Sequence, residues 1–192
     1  HLRVAAIQAL RQIDSARAIA PLTAALEDEY WRVRQDAAQM LGEIGGPRAL
    51  EPLIAATRDS AKSVRGMASQ SLGQIPDPRA VEPLIAVVER DKGETRLRAI
   101  EALRQIGDPR AFEPLIARLN VQDIDTFRAI ARTLADLYRA GVLSEAQKQA
   151  LLQQRDALSR GESVRAHTDN DEGCSRHWDY GRHIDTHSDF RV

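Results

Sequence analysis

The sequence predicts an all-α chain, a right-handed α-solenoid of paired helices, and three observations carry that expectation. The phrases IGGPRALEPLI (44–54), IPDPRAVEPLI (75–85) and IGDPRAFEPLI (106–116) follow one another at an interval of 31 residues. Whole columns recur at the same interval: Leu10, Leu41, Leu72 and Leu103; Ile13, Ile44, Ile75 and Ile106; Pro21, Pro52, Pro83 and Pro114, each Pro followed by Leu. A fixed period between 20 and 50 residues marks stacked repeats that cannot bury their apolar faces alone. Composition agrees, since a chain 43% hydrophobic but only 4% aromatic must build its core from Ala, Leu, Ile and Val.

Each unit reads as two helices. The column before the first helix holds Ser15, Gly46, Asp77 and Asp108, residues that serve as N-cap by side chain or by backbone freedom. Pro47, Pro78 and Pro109 follow at the first helical position, where a missing N–H is harmless. The second Pro of each unit, about five residues on, should kink the first turn or start the regular helix late. Polar turns such as EDEY (27–30) and RDSAK (58–62) close this helix. The second helix, for example VRQDAAQMLGEI (33–44), places Val33, Ala37, Leu41 and Ile44 on one face. Gly45 and Gly107 stop it, and Pro76 does so in the second unit. Ala6, Ala37, Ala68 and Ala99 share a column that lets neighbouring helices approach closely.

The expected solenoid therefore spans 1–160: a lone second helix (1–14), regular repeats at 15–45, 46–76 and 77–107, a worn repeat at 108–139, and a capping helix at 144–160. Ser144 with Gln147 forms a capping box for that last helix, and Ala150, Leu151, Ala157 and Leu158 give it one apolar stripe. Its remaining faces are polar, as a terminal cap requires. From Gly161 a polar His/Asp-rich tail (161–192) replaces the repeat pattern. The chain opens at His1 inside a helical pattern, so upstream repeats in a longer chain are expected.

The pattern DPRAxEPLI…VR…A…LGxIGDPRA, covering about residues 2–137, resembles HEAT repeats of the phycobilisome-lyase type. That resemblance implies second helices lining a concave side. It also implies either a plain protein-binding scaffold or a subunit of the two-subunit lyases that attach bilins to light-harvesting proteins. Fold resemblance alone does not choose between them.

Several residues are candidates for function. Arg3, Arg34, Arg65 and Arg96 recur at the start of the second helix, with Asp28 and Asp59 in the preceding turns. They read as a ladder of ion pairs setting the register between repeats rather than as a phosphate-binding stripe, since Phe127 replaces the Arg where the array ends. The outward columns of the second helices are Gln8, Gln39, Gln70 and Glu101 and, one turn on, Gln12, Glu43, Gln74 and Gln105. This amide-rich, nearly uncharged ridge offers both donors and acceptors and suits a polypeptide partner. It is equally readable as a solvated face, because Gln is a good helix former. Tyr30 and Trp31 sit together in a turn at the rim, as a binding hot spot or as a cover for the core edge.

Other classes are disfavoured. A formal charge of −1 gives no general reason to expect nucleic acid or an anionic membrane as partner. No 18-residue apolar run or signal-peptide pattern occurs. The single cysteine, Cys174, forbids an intrachain disulfide and fits a reducing, cytoplasmic setting. No His lies between His1 and His167, so the His-Glu di-iron site of deoxyhypusine hydroxylases, HEAT-repeat enzymes, has no ligands here. HEAT-like DNA glycosylases use a basic groove, and this ridge is neutral. The expected cofactor of the solenoid is none. In the tail, Cys174, His177, His183 and His187 have spacings a tetrahedral zinc site accepts, and a polar appendage docked or disordered is the alternative. The expected function is a non-enzymatic scaffold binding another protein on the concave face.

Overall fold

The computed structural model describes residues 15–119 and 123–159. Every regular element among them is helical. The lone helix expected at 1–14 and the tail expected at 161–192 lie outside the described residues. The chain divides into two compact units, His1–Asp108 and Pro109–Val192. That division falls between the third regular repeat and the worn fourth.

The first unit holds three helix pairs: α1 (Ser15–Ala25) with α2 (Trp31–Ile44), α3 (Pro47–Ala56) with α4 (Lys62–Gly73), and α5 (Val81–Arg90) with α6 (Glu94–Ile106). Each first helix packs on its own second helix, and the second helices form a row in which α4 lies between α2 and α6. This is an α-solenoid, and the 31-residue phrase marks the start of each first helix. Leu22, Leu41, Leu50, Leu53, Leu72, Leu84, Ile100 and Leu103 are fully buried. Each such side chain is worth about 1.5–3 kcal/mol relative to exposure.

The start of each first helix answers the proline question in two ways. In the third layer Pro78–Ala80 forms a separate 3-10 turn, capped by Asp77, whose carboxylate accepts the Arg79 N–H; the regular helix begins only at Val81. In the second layer the helix runs unbroken from Pro47 through Pro52, with Gly46 at the N-cap at φ 79°. The expected late start therefore occurs where Asp77 holds the first turn, while Gly46 supplies no side-chain cap. At the far end of the second helices, Gly45 (φ 68°) and Gly107 (φ 70°) take the positive φ that L-residues avoid. Their N–H groups bond Leu41 O and Leu103 O.

Close approach between layers rests on small residues. Ala37, Ala68 and Ala99 are all fully buried. A second pair of columns, not singled out from the sequence, does more. A Cβ placed on Gly42 would lie 2.5 Å from Ser71 Cβ, and one on Gly73 would lie 3.0 Å from Ala102 Cα. Gly42 and Gly73 share one column and Ser71 and Ala102 another, so the same glycine-to-small contact recurs at both layer junctions. Hydroxyls add polar stitches: Ser71 Oγ donates to Ala38 O at 2.9 Å and Thr95 Oγ1 to Lys62 O at 3.2 Å.

In the second unit a 3-10 turn (Pro109–Ala111) leads into the short α7 (Phe112–Ile116), which packs on α8 (Ile124–Arg139). Asp123 caps α8, accepting from the Asp125 N–H and the Thr126 hydroxyl. α9 (Glu145–Ser159) starts on the expected capping box, with Ser144 N–H donating to Gln147 Oε1 at 3.0 Å and Gln147 N–H to Ser144 Oγ at 3.3 Å. Phe127 is buried, consistent with its replacing the arginine of the regular layers.

Candidate functional site

Of the arginine column, Arg34 and Arg65 form the expected ladder, Arg96 bonds the Asp91 carbonyl of its own turn, and Arg3 lies outside the described residues. Arg34 donates from Nε to Asp59 Oδ2 at 2.6 Å and from Nη2 to Asp59 Oδ1 at 2.9 Å, a bidentate pair across two layers. Its remaining nitrogen donates to Asp28 O at 2.8 Å and Glu29 O at 3.1 Å in its own turn. Arg65 repeats the arrangement one layer on, with both Asp91 carboxylate oxygens as acceptors and Asp59 O and Ser60 O in its own turn. Each arginine thus clamps its own turn and reaches the next. Planar bidentate geometry of this kind is a property of guanidinium rather than ammonium.

The aspartates respond. Burial pushes the Asp59 carboxyl up, but the Arg34 hydrogen bond, the Ala61 N–H and the Arg34 and Arg65 charges outweigh it and hold the group below the usual aspartate range. Asp91 is likewise held low: burial raises it, and the Arg65 hydrogen bond and charge, with Arg90, overcome that.

Asp91 departs from the 31-residue register by one position, and helix geometry explains the slip. The last turns of the first and second layers tighten to 3-10 bonds: Asp28 N–H bonds Ala25 O, and Asp59 N–H bonds Ala56 O. The last turn of α5 stays α-helical, with Asp91 N–H bonded to Val87 O. One more residue is then needed to bring the aspartate to the same place. The sequence reading named Asp28 and Asp59; Asp91 was hidden by this slip, although the acid in DKGE was visible.

The ridge of the second helices is the candidate partner surface. Glu43, Gln70, Gln74 and Gln105 are exposed, and Gln39 and Glu101 partly so. Gln8 and Gln12 lie outside the described residues. The structure brings Gln70, Glu101 and Gln105 together in one open groove of about 350 Å³ between α4 and α6, whose wall also includes Glu94, Leu97, Arg98 and Ala102. Gln39 Nε2 donates to Glu43 Oε1 at 2.9 Å, and Gln105 Nε2 to Glu101 Oε1 at 3.2 Å, so the two columns are linked along α2 and along α6. The face is more charged than its glutamines suggested. Arg98 pairs with Glu94 at 2.9 Å, and Arg104 Nε donates to Glu101 Oε2 at 2.8 Å. Glu94, Leu97 and Arg98 were missed because the reading followed two columns, while a groove between helices also takes residues from the flanking positions.

Tyr30 (59% exposed) and Trp31 (43% exposed) stand at the N-terminal end of α2. Trp31 and Glu43 are 12 residues apart on that helix, about 18 Å at 1.5 Å per residue. The groove between α4 and α6 has neither Tyr30 nor Trp31 on its wall. Tyr30 N–H is held by Asp28 Oδ1 at 2.9 Å, and the Arg32 guanidinium lies 5.2 Å from the Trp31 ring centre. Cys174, His177, His183 and His187 lie outside the described residues. No described helix is long and apolar enough to cross a membrane.

Comparison with known proteins agrees with this architecture. No curated protein matches the sequence. Among solved structures, an engineered protein superposes with a TM-score of 0.61 at 19% identity, over 82% of this chain and 77% of its own. The complex of CpcE and CpcF of phycocyanin lyase from Nostoc sp. PCC7120 superposes with a TM-score of 0.62 at 26% identity, over 83% of this chain and 70% of that one. A designed armadillo repeat protein in complex with the peptide (KR)4 gives 0.58 at 19% identity, over 82% and 78%. The HEAT-repeat family itself matches residues 1–64 and 50–135, which together span more than half of the chain. Periodic phrase, stacked helix pairs and family match coincide: the chain belongs to the HEAT-repeat family.

Proposed function

We propose that the protein is a binding scaffold rather than an enzyme, and that its second-helix face holds a polypeptide partner. The observation that carries this reading is the groove between α4 and α6. Leu97 gives it apolar surface, and Gln70, Gln105, Glu101 and Arg98 set donors and acceptors along its walls. Apolar surface beside convergent polar groups is what a peptide segment needs for burial and orientation. A photo-crosslinking residue placed at position 70 or 105 should give a discrete adduct with the partner. The same residue at Glu82, exposed on a first helix, should give none. Equal adducts from position 82, or none from 70 and 105, would remove the site from this face.

A second reading is favoured by the 26% identity to the CpcE and CpcF complex. Here the chain is a subunit or partner of an enzyme resembling a bilin lyase, with a tetrapyrrole or a partner subunit as ligand. A change in visible absorbance on adding a bilin to the purified protein supports it, and an unaltered spectrum rules out direct bilin binding.

A further inference from the structure

A second cleft lies at the turn edge of the first unit, between the ends of α1 and α3. It encloses about 430 Å³ and is lined by Thr23, Leu26, Asp28, Ala55, Arg58 and Asp59 among others. The molecule carries a filled copy of the same place one layer on. There Arg90 Nη2 donates to Thr57 O at 2.8 Å, and its Nε and Nη2 each lie 3.3 Å from Asp91 Oδ2, so Arg90 and Arg65 share one aspartate. Counting back one layer, Leu26 O corresponds to Thr57 O, Asp59 to Asp91, Arg34 to Arg65 and Arg58 to Arg90.

Arg58 does not fill its cleft. Because the last turn of α3 tightens to 3-10 bonds, Arg58 falls in the turn, whereas the α-helical ending of α5 carries Arg90, itself half-exposed, back over the preceding layer. The open cleft keeps what its copy uses: the Leu26 carbonyl just beyond the end of α1, the Asp59 carboxylate already holding one guanidinium, and small walls at Ala55 and Ala56. Glu27 adds a carboxylate to the same wall. The C-terminal end of a helix favours cations. Tyr30 and Trp31 follow Asp28 in the same turn and lie outside the cleft wall.

We propose that this cleft is a docking site for an arginine side chain of a partner protein, seated as Arg90 is seated one layer on. The guest guanidinium donates to Leu26 O and shares Asp59 with Arg34. The site is separate from the amide groove and stands or falls independently of it.

The test is an NMR titration of the intact protein with the peptide Gly-Gly-Arg-Gly-Gly, its citrulline counterpart and free arginine. The arginine peptide should give saturable shifts at Thr23, Leu26, Ala55 and Ala56. Citrulline, isosteric but uncharged, should bind weaker by about tenfold or more. Free arginine should also bind weaker, because its own carboxylate meets an acidic wall. Ala55→Arg, an exposed position on the cleft wall, tethers a guanidinium there and should abolish the shifts while the fold remains intact by circular dichroism. Equal shifts from the citrulline peptide, shifts confined to Gln70 and Gln105, or no saturable shift would each overturn the site. Tighter binding of free arginine than of the peptide would refute a protein partner. Undiminished peptide binding to folded Ala55→Arg would place the guest elsewhere.

Discussion

Replacing Gly42 by alanine tests how closely the layers approach. Carbon atoms in contact sit about 3.5–4.0 Å apart. The new Cβ would lie 2.5 Å from Ser71 Cβ and 2.9 Å from Ser71 Cα, so α2 and α4 must separate by about 1 Å. Overpacking of this kind costs about 1–3 kcal/mol. The shift also strains the buried Ser71 Oγ to Ala38 O bond, worth about 1 kcal/mol. Against this stands a helix-propensity gain of about 1 kcal/mol for Gly to Ala. The last two terms offset, and Gly42→Ala should destabilise by about 1–3 kcal/mol. Gly66 is the internal control. Its Cβ would meet Thr95 Oγ1 at 3.4 Å and Arg98 Cδ at 3.6 Å, near ordinary contact, so Gly66→Ala should gain up to about 1 kcal/mol. Gly73→Ala should fall between them. There the shortest contact is to the movable end of Gln105, but Ala102 Cα at 3.0 Å is backbone. Urea unfolding followed by circular dichroism measures all three. Because stability in a repeat array sums over layers and their interfaces, Gly42→Ala should also broaden the transition. If Gly42→Ala proves as stable as Gly66→Ala, the inferred closeness of the layers is wrong.

Leu72 is fully buried on α4, so Leu72→Ala should cost about 2–5 kcal/mol. Exposed Gln70→Ala should stay within about 0.5 kcal/mol in the same urea assay, and similar midpoints for both would invert the buried face. Asp59→Asn removes one partner of a largely buried pair and should cost about 3 kcal/mol near neutral pH. Since the folded state holds this carboxyl low, its contribution is complete above the ordinary aspartate range and disappears as pH falls through the folded-state value. The gap between wild type and variant should therefore close in acid, and a gap independent of pH would contradict the ion pair. For the tail, we propose that Cys174, His177, His183 and His187 hold one zinc ion, released below about pH 6 as the imidazoles protonate. Metal analysis of tag-free protein showing no zinc, nickel or copper at neutral pH would end that proposal.

Most of the fold was legible because it is periodic. Columns such as Leu41, Leu72 and Leu103 declare both the face and the layer spacing, and Gly107 and Ser144 mark helix ends by local chemistry that needs no tertiary knowledge. The ladder was half legible. Arginine sits in strict register, but Asp91 does not, since a helix end can exchange α for 3-10 bonds without any sign in the side-chain pattern. The arginine cleft was not legible at all. It exists because Arg58 falls outside a helix and Arg90 inside one, a difference of backbone hydrogen bonding between two nearly identical turns. Gly42 and Gly73 were not singled out in the sequence; only the distance to Ser71 and Ala102 shows why alanine would not serve.

The pairs Arg34–Asp59 and Arg65–Asp91 have a bearing on how such a chain can change length. Each arginine belongs to one helix pair and its aspartate to the next, so a copied layer keeps its clamp only when the block carries the aspartate of its own turn, and the extra residue before Asp91 makes the position of the joint matter. A joint in the middle of a helix preserves the clamps, whereas one between Arg90 and Asp91 removes an aspartate. Single-residue insertions are a different matter. One inside a helix rotates every later side chain by about 100° and strips the buried face. One at the end of a first helix is absorbed by loosening a 3-10 turn into an α turn, as the route to Asp91 shows. Replication slippage in such a gene should accordingly leave survivors of two kinds: whole repeats gained or lost with their joints inside helices, and single codons gained or lost at those few turns.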